Sequence, residues 1–261
     1  MDQPTPPPSG SSSGDDTLDL QLADELAALL AGHGTATGEA ARTAGDEQPP
    51  RGQFAESQFA EGSAAAVAPA QSALLDAVHT WPPSRTPVGT MRLVPVRMER
   101  DLRLITAWMN DPAVDAFWEL SGPEDVTAAH LRRQLEGDGR SVPCLGVLDG
   151  VPMSYWEIYR ADLDPIARHV QARPHDTGVH LLIGGVPDRG RGLGTALLRA
   201  VSDLVLDRRP TCGRVLAEPD VRNVASVAAF LSAGFRLSAE VDLPGKRAAL
   251  MVRERQLREV L

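Results

Sequence analysis

At 261 residues and a net charge of −9, the chain has room for one large domain or for a domain with an appendage, and its charge is unevenly placed. Residues 1–89 hold 12 Asp and Glu against Arg42, Arg51 and Arg85, whereas residues 90–261 hold 23 of each sign, so the second half lacks the basic footprint of a nucleic-acid binder. No run approaches the roughly 18 apolar residues of a membrane span, the acidic N-terminus lacks the regions of a signal peptide, and Cys144 and Cys212 have no metal-type neighbours, so we expect a cytoplasmic chain with no membrane segment, disulfide or metal.

The front of the chain is rich in Pro, Ser, Gly and Ala and poor in aromatic and β-branched residues. It buries too little apolar surface to offset its ordering entropy and is expected to be a largely disordered extension over 1–89. Within it, residues 17–31 have the leucine spacing of an acidic amphipathic helix, and 71–81 of a shorter one. Such a segment is either a docking arm for a pathway protein partner or a transient helix in a linker. On this division residues 90–261 are the domain, and a chain starting near Pro87 is expected to fold.

The folded part opens with a strand at 90–96 and a helix at 99–109 whose apolar side is Leu102, Ile105, Ala107 and Met109. Asn110-Asp111-Pro112 is expected to stop it. A segment at 114–120 carries Phe117, Trp118 and Glu119, and Pro123 opens a second helix to 135. Strands at 143–148 and 153–160 are joined by Asp149-Gly150, a dipeptide suited to a tight hairpin. Residues 162–177 show no period, and a loop of that length in a compact domain usually has a function or is disordered. A strand at 179–183, a helix at 192–207, a strand at 214–217, a helix at 223–233 and strands at 235–241 and 248–253 follow. The order is β-α-α-β-β-β-α-β-α-β-β, a mixed α/β chain.

Between the 179–183 strand and its helix lies Arg189-Gly190-Arg191-Gly192-Leu193-Gly194, followed by Thr195. Glycines let the backbone approach a ligand closely, the helix start offers unpaired N–H groups and a positive dipole end, and two arginines add charge, which together point to a pyrophosphate. A Walker loop would need Lys-Ser or Lys-Thr after its last glycine, and a dinucleotide fingerprint would need G-x-G-x-x-G after the first strand; neither is met. The spacing Arg189, Gly192, Gly194 resembles the Arg/Gln-x-x-Gly-x-Gly signature of GNAT-type acyl-CoA N-acyltransferases. The stretch Asn223 to Phe235, with Phe230 and Gly234 inside it, resembles the second signature of that superfamily, and the element order is similar to its fold. Three further stretches, Phe117-Trp118-Glu119, Tyr155-Trp156-Glu157-Ile158-Tyr159 and His175-Asp176-Thr177-Gly178-Val179-His180, resemble its siderophore-biosynthesis branch, the aerobactin-type hydroxylysine acetyltransferases and mycobactin-type lysine acyltransferases. The resemblance covers about residues 90–255.

The resemblance implies an acyl donor, acetyl-CoA or another acyl-CoA, with its pyrophosphate on Arg189, Gly190, Arg191, Gly192, Leu193, Gly194 and Thr195. Its pantetheine arm would lie against the strand at Leu182 and Ile183, near Asn223 and Phe230. His180 is the candidate general base, since alternation sets it opposite Val179, Leu181 and Ile183 and an imidazole titrates near neutrality. Alternation alone equally allows a hydrogen-bonded core histidine. Glu218 stands where mycobactin-type enzymes have a catalytic aspartate, one methylene longer, with Asp220 as the fallback. Phe230 replaces the tyrosine of many relatives and cannot protonate a thiolate, so that proton comes from His180 or water. Trp118, Glu157, His169 and His175 are candidates for the acceptor pocket, where a carboxylate would pair an ammonium and apolar walls would hold methylenes; each can also be read as purely structural. The implied reaction is acyl transfer to the side-chain amine or hydroxylamine of lysine, ornithine or a related diamine, and a hydroxylamine, neutral near pH 7, suits a modest base. The alternatives are an aminoglycoside or other small-amine acetyltransferase and a non-catalytic acyl-CoA-binding module.

Overall fold

The structure, a computed structural model, describes Leu75 and residues 78–258; the helix expected at 17–31 and most of the front extension lie outside the described residues. The apolar runs form one eight-stranded sheet of β1 (Ser84–Thr86), β2 (Gly89–Pro95), β3 (Ser141–Leu148), β4 (Val151–Arg160), β5 (Thr177–Ile183), β6 (Arg214–Ala217), β7 (Arg236–Leu243) and β8 (Lys246–Glu254). The spatial order is β1-β2-β3-β4-β5-β6-β8-β7. Five helices accompany it among the described residues: α1 (Met98–Met109), α2 (Pro112–Trp118), α3 (Glu124–Leu135), α4 (Leu193–Arg208) and α5 (Val224–Ser232).

Every neighbouring pair is antiparallel except β5 and β6, and that exception positions the site. These two strands pair in parallel only at Thr177↔Val215 and Gly178↔Leu216. β6 then ends at Ala217, and Pro219, which has no N–H to donate, follows two residues on. From Val179 onward the β6 side of β5 therefore carries no ladder. β4, whose residues from Met153 to Arg160 are all buried, is covered on both faces, as its near-continuous apolar run requires. Ile105 and Met109 of α1 and Leu131 of α3 pack on Leu145, Tyr155 and Leu182, while Tyr159, Leu216 and Val252 meet Ile166 and Val170 of the 162–177 segment.

Three expectations change. Asn110-Asp111-Pro112 does end α1, but it also starts another helix: Asp111 accepts a hydrogen bond from the N–H of Ala113 and Pro112 takes the first helical position, so 112–118 is helical. The 162–177 segment is an ordered strap. Arg160 pairs with Asp162 at 2.6 Å, Arg214 pairs with Asp176, and a short 3-10 turn, Pro165–Arg168, fills its middle. The packed region also starts earlier than residue 90, because Leu75, Val78 and Trp81 are buried and β1 pairs with β2.

A chain starting at Pro87 would lose those three side chains, so the expectation of independent folding is replaced by one of destabilisation. Trp81→Ala alone is expected to cost about 3–5 kcal/mol, a fall in Tm on the order of 10 °C by scanning calorimetry. An unchanged Tm in the full chain would show that this segment does not pack as described.

Candidate active site

The strand registers bring the site together. Glu157 of β4 lies directly across from His180 of β5. The β5–β6 register pairs Gly178 with Leu216, so two residues further on each strand His180 and Glu218 come level, at the point where the strands part. Three side chains, from β4, β5 and the residue just past β6, thus stand in one row. Glu157 Oε2 is 2.8 Å from His180 Nδ1, and Glu218 Oε1 is 2.5 Å from His180 Nε2.

Each carboxylate is held from behind. Alternation along β4 puts Tyr155, Glu157 and Tyr159 on one face. Tyr155 donates its hydroxyl to Glu157 Oε1 at 2.9 Å, and Tyr159 donates to Glu218 Oε2 at 2.8 Å. From α3, His130 and Gln134, one helical turn apart, reach the same Glu157 oxygen at 2.5 and 2.6 Å. Ser141 in turn donates to the Gln134 carbonyl at 2.8 Å. Gly178 is required here: a β-carbon would stand 2.0 Å from the Tyr159 ring, the ring that packs on His180 at 4.9 Å between centroids.

The arrangement decides the charge of His180. Both ring nitrogens face carboxylate oxygens, which only accept, so the ring donates twice and is an imidazolium. Burial by itself would lower its pKa, but the charge of Glu218 and the hydrogen bonds to Glu157 and Glu218 outweigh it and raise the pKa to about 10. The same contacts act on the acids. Burial opposes them, yet hydrogen bonds from His130 and His180 hold Glu157 well below the usual carboxylate range, and the charge of His180 together with its hydrogen bond lowers Glu218. Tyr155 and Tyr159 are pushed up, first by burial and then by the charges of Glu157 and Glu218, and so remain donors. This geometry favours a ring that stays charged through neutrality over one that titrates there. In this geometry His180 has no lone pair with which to take a proton.

The other expected residues divide. Trp118 stands at the site, edge-on to His180 at 6.1 Å and to Tyr155 at 5.6 Å. Glu157 is buried at 7% exposure and is the hub of the cluster. His169 and His175 are not brought to it: His169 is exposed behind the short 3-10 turn, and His175, at φ 69°, donates its backbone N–H to Asp162. Both sit on the ordered strap, which reaches the larger cavity through a different residue, Asp164. Asp220 lines the smaller cavity beside Glu218, and Arg222 holds it through Nε and Nη2, at 2.6 Å for the shorter contact. The sequence reading missed His130 and Gln134, whose four-residue spacing on the polar side of a helix was the available signal.

Two cavities meet at this row, and His130, Glu157 and His180 line both. One, of about 520 Å³, lies toward Arg133, Arg140 and Asp164. The other, of about 260 Å³, runs between Trp118, Leu181, Glu218, Asn223, Phe230 and Lys246, along the gap between β5 and β6. Phe230 packs edge-on against Phe235 at 5.0 Å, and Asn223 caps α5 by accepting from the Ser226 N–H at 3.1 Å.

Beyond the open end of β5, the loop at 189–194 leads into α4. Gly192 is the N-cap at φ 72°, offers no side-chain cap, and has open space where a β-carbon would be; Gly190, at φ 70°, does too. The first helical hydrogen bond runs from the Ala196 N–H to the Gly192 carbonyl, leaving the N–H groups of Leu193, Gly194 and Thr195 without an acceptor one turn back. These groups fit a pyrophosphate. Arg189, by contrast, is turned inward: it donates to the carbonyls of Ile183 and Gly184 at 3.1 and 2.9 Å and pairs with Asp111 at 3.1 Å. It shapes the loop, while Arg191 is the exposed cation beside it. Leu182 points into the core, so any contact it makes with a ligand is through its backbone. Among the described residues there is no cluster of potential metal ligands and no helix long and apolar enough to cross a membrane.

Comparison with known proteins agrees with this architecture. The chain is 38% identical over 155 residues to the N(6)-hydroxylysine O-acetyltransferase of Escherichia coli, a match covering 59% of this chain and about half (49%) of that protein. It is 37% identical over 150 residues to the lysine N-acyltransferase MbtK of Mycolicibacterium paratuberculosis, covering 58% of this chain and 67% of the relative. Among solved structures, an aminoglycoside acetyltransferase AAC(6')-Ib in complex with coenzyme A and kanamycin superposes with a TM-score of 0.58 at 26% identity, over 65% of this chain and 96% of that one. Residues 97–243 match the acetyltransferase (GNAT) domain, and with the β5–β6 pair that parts after two residues and the uncapped α4 start, the chain belongs to the GNAT acetyltransferase family.

Proposed function

We propose that this protein transfers an acyl group from acyl-coenzyme A to the side-chain amine or hydroxylamine of lysine, ornithine or a related diamine in siderophore assembly. The observation that carries the reading is the Glu157–His180–Glu218 row, set where β5 and β6 part and within reach of two cavities. The names of the lysine-type relatives support the substrate class. The N–H groups at 193–195 and Arg191 would hold the pyrophosphate, and the gap lined by Asn223 and Phe230 would take the arm. Bound there, the thioester supplies an activated acyl carbon.

The chain's own residues then have three tasks. Trp118 and the cavity walls orient the acceptor, which makes the attack effectively unimolecular. The His180 imidazolium places a fixed positive charge beside the carbon where negative charge develops. Once the attacking nitrogen has bonded, its proton becomes acidic enough for a carboxylate, and Glu218 Oε1 accepts it; His180 Nε2, one hydrogen bond away, passes a proton to the departing sulfur. Phe230 has no hydroxyl to offer, so this relay takes the place of the tyrosine.

The test is thiol release from a set of acyl-CoAs with lysine, ornithine, their N-hydroxylated forms and kanamycin, with mass spectrometry of each product. An N-acylated hydroxylamine is a hydroxamate and gives a coloured ferric complex, which an O-acyl product does not, so the acylated atom is read directly. Turnover confined to kanamycin would move the assignment to aminoglycosides, and retention of coenzyme A without thiol release would make the domain a binding module. The same reading puts the enzyme in the cytoplasm, with the acidic front of the chain available to dock a pathway protein. A pull-down with and without residues 1–74, at low and moderate salt, tests that arm, since an electrostatic partner is lost as the Debye length shortens to about 10 Å.

A further inference from the structure

Lys246 is the sole lysine of the chain, and it lines the 260 Å³ cavity beside the reactive row. It begins β8, just after the Pro244-Gly245 turn, and its position is fixed from both sides. The Ala249 N–H donates to the Pro219 carbonyl at 2.8 Å, and the Val221 N–H donates to the Arg247 carbonyl at 3.0 Å, so the start of β8 is stitched to the segment that carries Glu218. The Lys246 ammonium donates to the backbone carbonyl of Glu218 at 2.7 Å, and among the described residues it forms no ion pair.

The carboxylates lining that cavity are already occupied. Glu157 accepts from His130, Gln134, Tyr155 and His180; Glu218 accepts from His180 and Tyr159; Asp220 is held by Arg222. The cavity's other cation, His180, faces those carboxylates. Lys246 stands near enough to Glu218 and Asp220 for its charge to act on both, yet its hydrogen bond goes to a neutral carbonyl and it makes no ion pair among the described residues; it is half-buried and has two further N–H groups to give. A half-buried ammonium whose hydrogen bond goes to a neutral carbonyl has given up part of its hydration, and an anionic ligand would take up its remaining donors. The walls opposite are apolar, Phe117, Trp118 and Leu120, and suit a short methylene chain.

We infer that Lys246 binds a carboxylate carried by one of the two substrates, so that this cavity selects a compound with a carboxylate at one end and the reacting group at the other. The inference rests on the acyl-transfer reading and narrows it: an acceptor of amino-acid type, or an acyl group ending in a carboxylate, is favoured over its uncharged counterpart. A lysine suits this task because its ammonium is a compact point charge on a flexible stem and needs a single carboxylate oxygen.

The experiment compares the full-length protein with Lys246→Met and Lys246→Arg in two arms. The acceptor arm pairs N6-hydroxylysine with its decarboxylated analogue, using acetyl-CoA; the donor arm pairs succinyl-CoA with acetyl-CoA, using the decarboxylated acceptor. In one arm, Lys246→Met is expected to lower kcat/KM for the carboxylate-bearing member by about tenfold or more while its partner changes little, and Lys246→Arg is expected to keep most of the preference. The arm that responds identifies the source of the carboxylate. Equal losses for both members of each pair would mean that Lys246 only braces the Glu218 carbonyl, and no change in either pair would mean it does nothing at the site; both overturn the inference. The same compounds titrated by calorimetry read the preference as a ratio of Kd values. An enzyme that releases no thiol would thus sink the acyl-transfer reading while leaving the carboxylate preference separately measured.

Discussion

His180→Gln is expected to lower kcat by about a hundredfold or more while leaving coenzyme A binding within about twofold, because the ring is at the reacting centre and the anion cradle lies at the start of α4. The pH dependence carries the sharper information. With a hydroxylamine acceptor, which is neutral throughout the alkaline range, the wild-type rate should hold on a plateau and fall as pH rises through about 10, where the imidazolium is lost. A base of ordinary pKa would instead give a rate that rises near 6.5. Glu157→Gln removes one of the two carboxylates that keep the ring charged, so its alkaline limb should move to lower pH and kcat should drop with it. Stability follows the same signs. The raised pKa of His180 contributes fully below its unfolded value near 6.5 and is lost as pH rises through about 10. The lowered pKa of Glu157 contributes above about 4.5 and is lost as pH falls through its depressed folded value. Profiles of kcat/KM and thermal melts across that range decide the matter; a limb unmoved by Glu157→Gln would show that the flanking carboxylates do not set the charge of His180.

Gly192→Asp should weaken acyl-CoA binding by about a hundredfold, roughly 2.8 kcal/mol. The backbone at φ 72° strains any side chain, but the space beside Gly192 is open, so the fold should persist at a cost of about 1–2 kcal/mol. What the substitution does to the ligand is electrostatic: it sets a carboxylate at the positive end of a 16-residue helix, against the N–H groups offered to the pyrophosphate. Gly192→Ala carries the same backbone strain without the charge and should cost less than tenfold. Equal effects of the two, measured by calorimetry, would assign the loss to strain. Arg189→Glu is expected to behave differently, since its guanidinium holds the Ile183 and Gly184 carbonyls and Asp111; the first observable should be a lower Tm as the loop loses its anchor to the N-cap of α2.

The helices, the strands and the glycine loop were legible in the sequence because their causes are local. Apolar periodicity, Asp149-Gly150, Pro123 and the alternating glycines act over a few residues, and both family signatures are contiguous. Asp111 was half-read for the same reason: a stop signal and a start signal overlap there, and only the Ala113 N–H that it caps shows that a new helix begins where the first one ends. The burial of Trp81 was equally hidden, since a proline-rich stretch packs only if a distant surface accepts it.

His180 and Glu218 could be named from the sequence, but not their state. That state depends on register: Glu157 is 23 residues from His180 in the chain and directly across from it in the sheet, and Glu218 is 38 residues away and level with it because two parallel pairs fix β6 beside β5. Sequence determines that an imidazole is present; the fold, by placing an acceptor at each of its nitrogens, makes it a cation. The same logic explains His130, brought in by the packing of α3, and His169 and His175, which the strap leaves outside the cavities while its Asp164 lines one. Lys246 shows it most plainly, since nothing local in a lone lysine after a Pro-Gly turn tells that the closing of β8 on β6 sets it over Glu218.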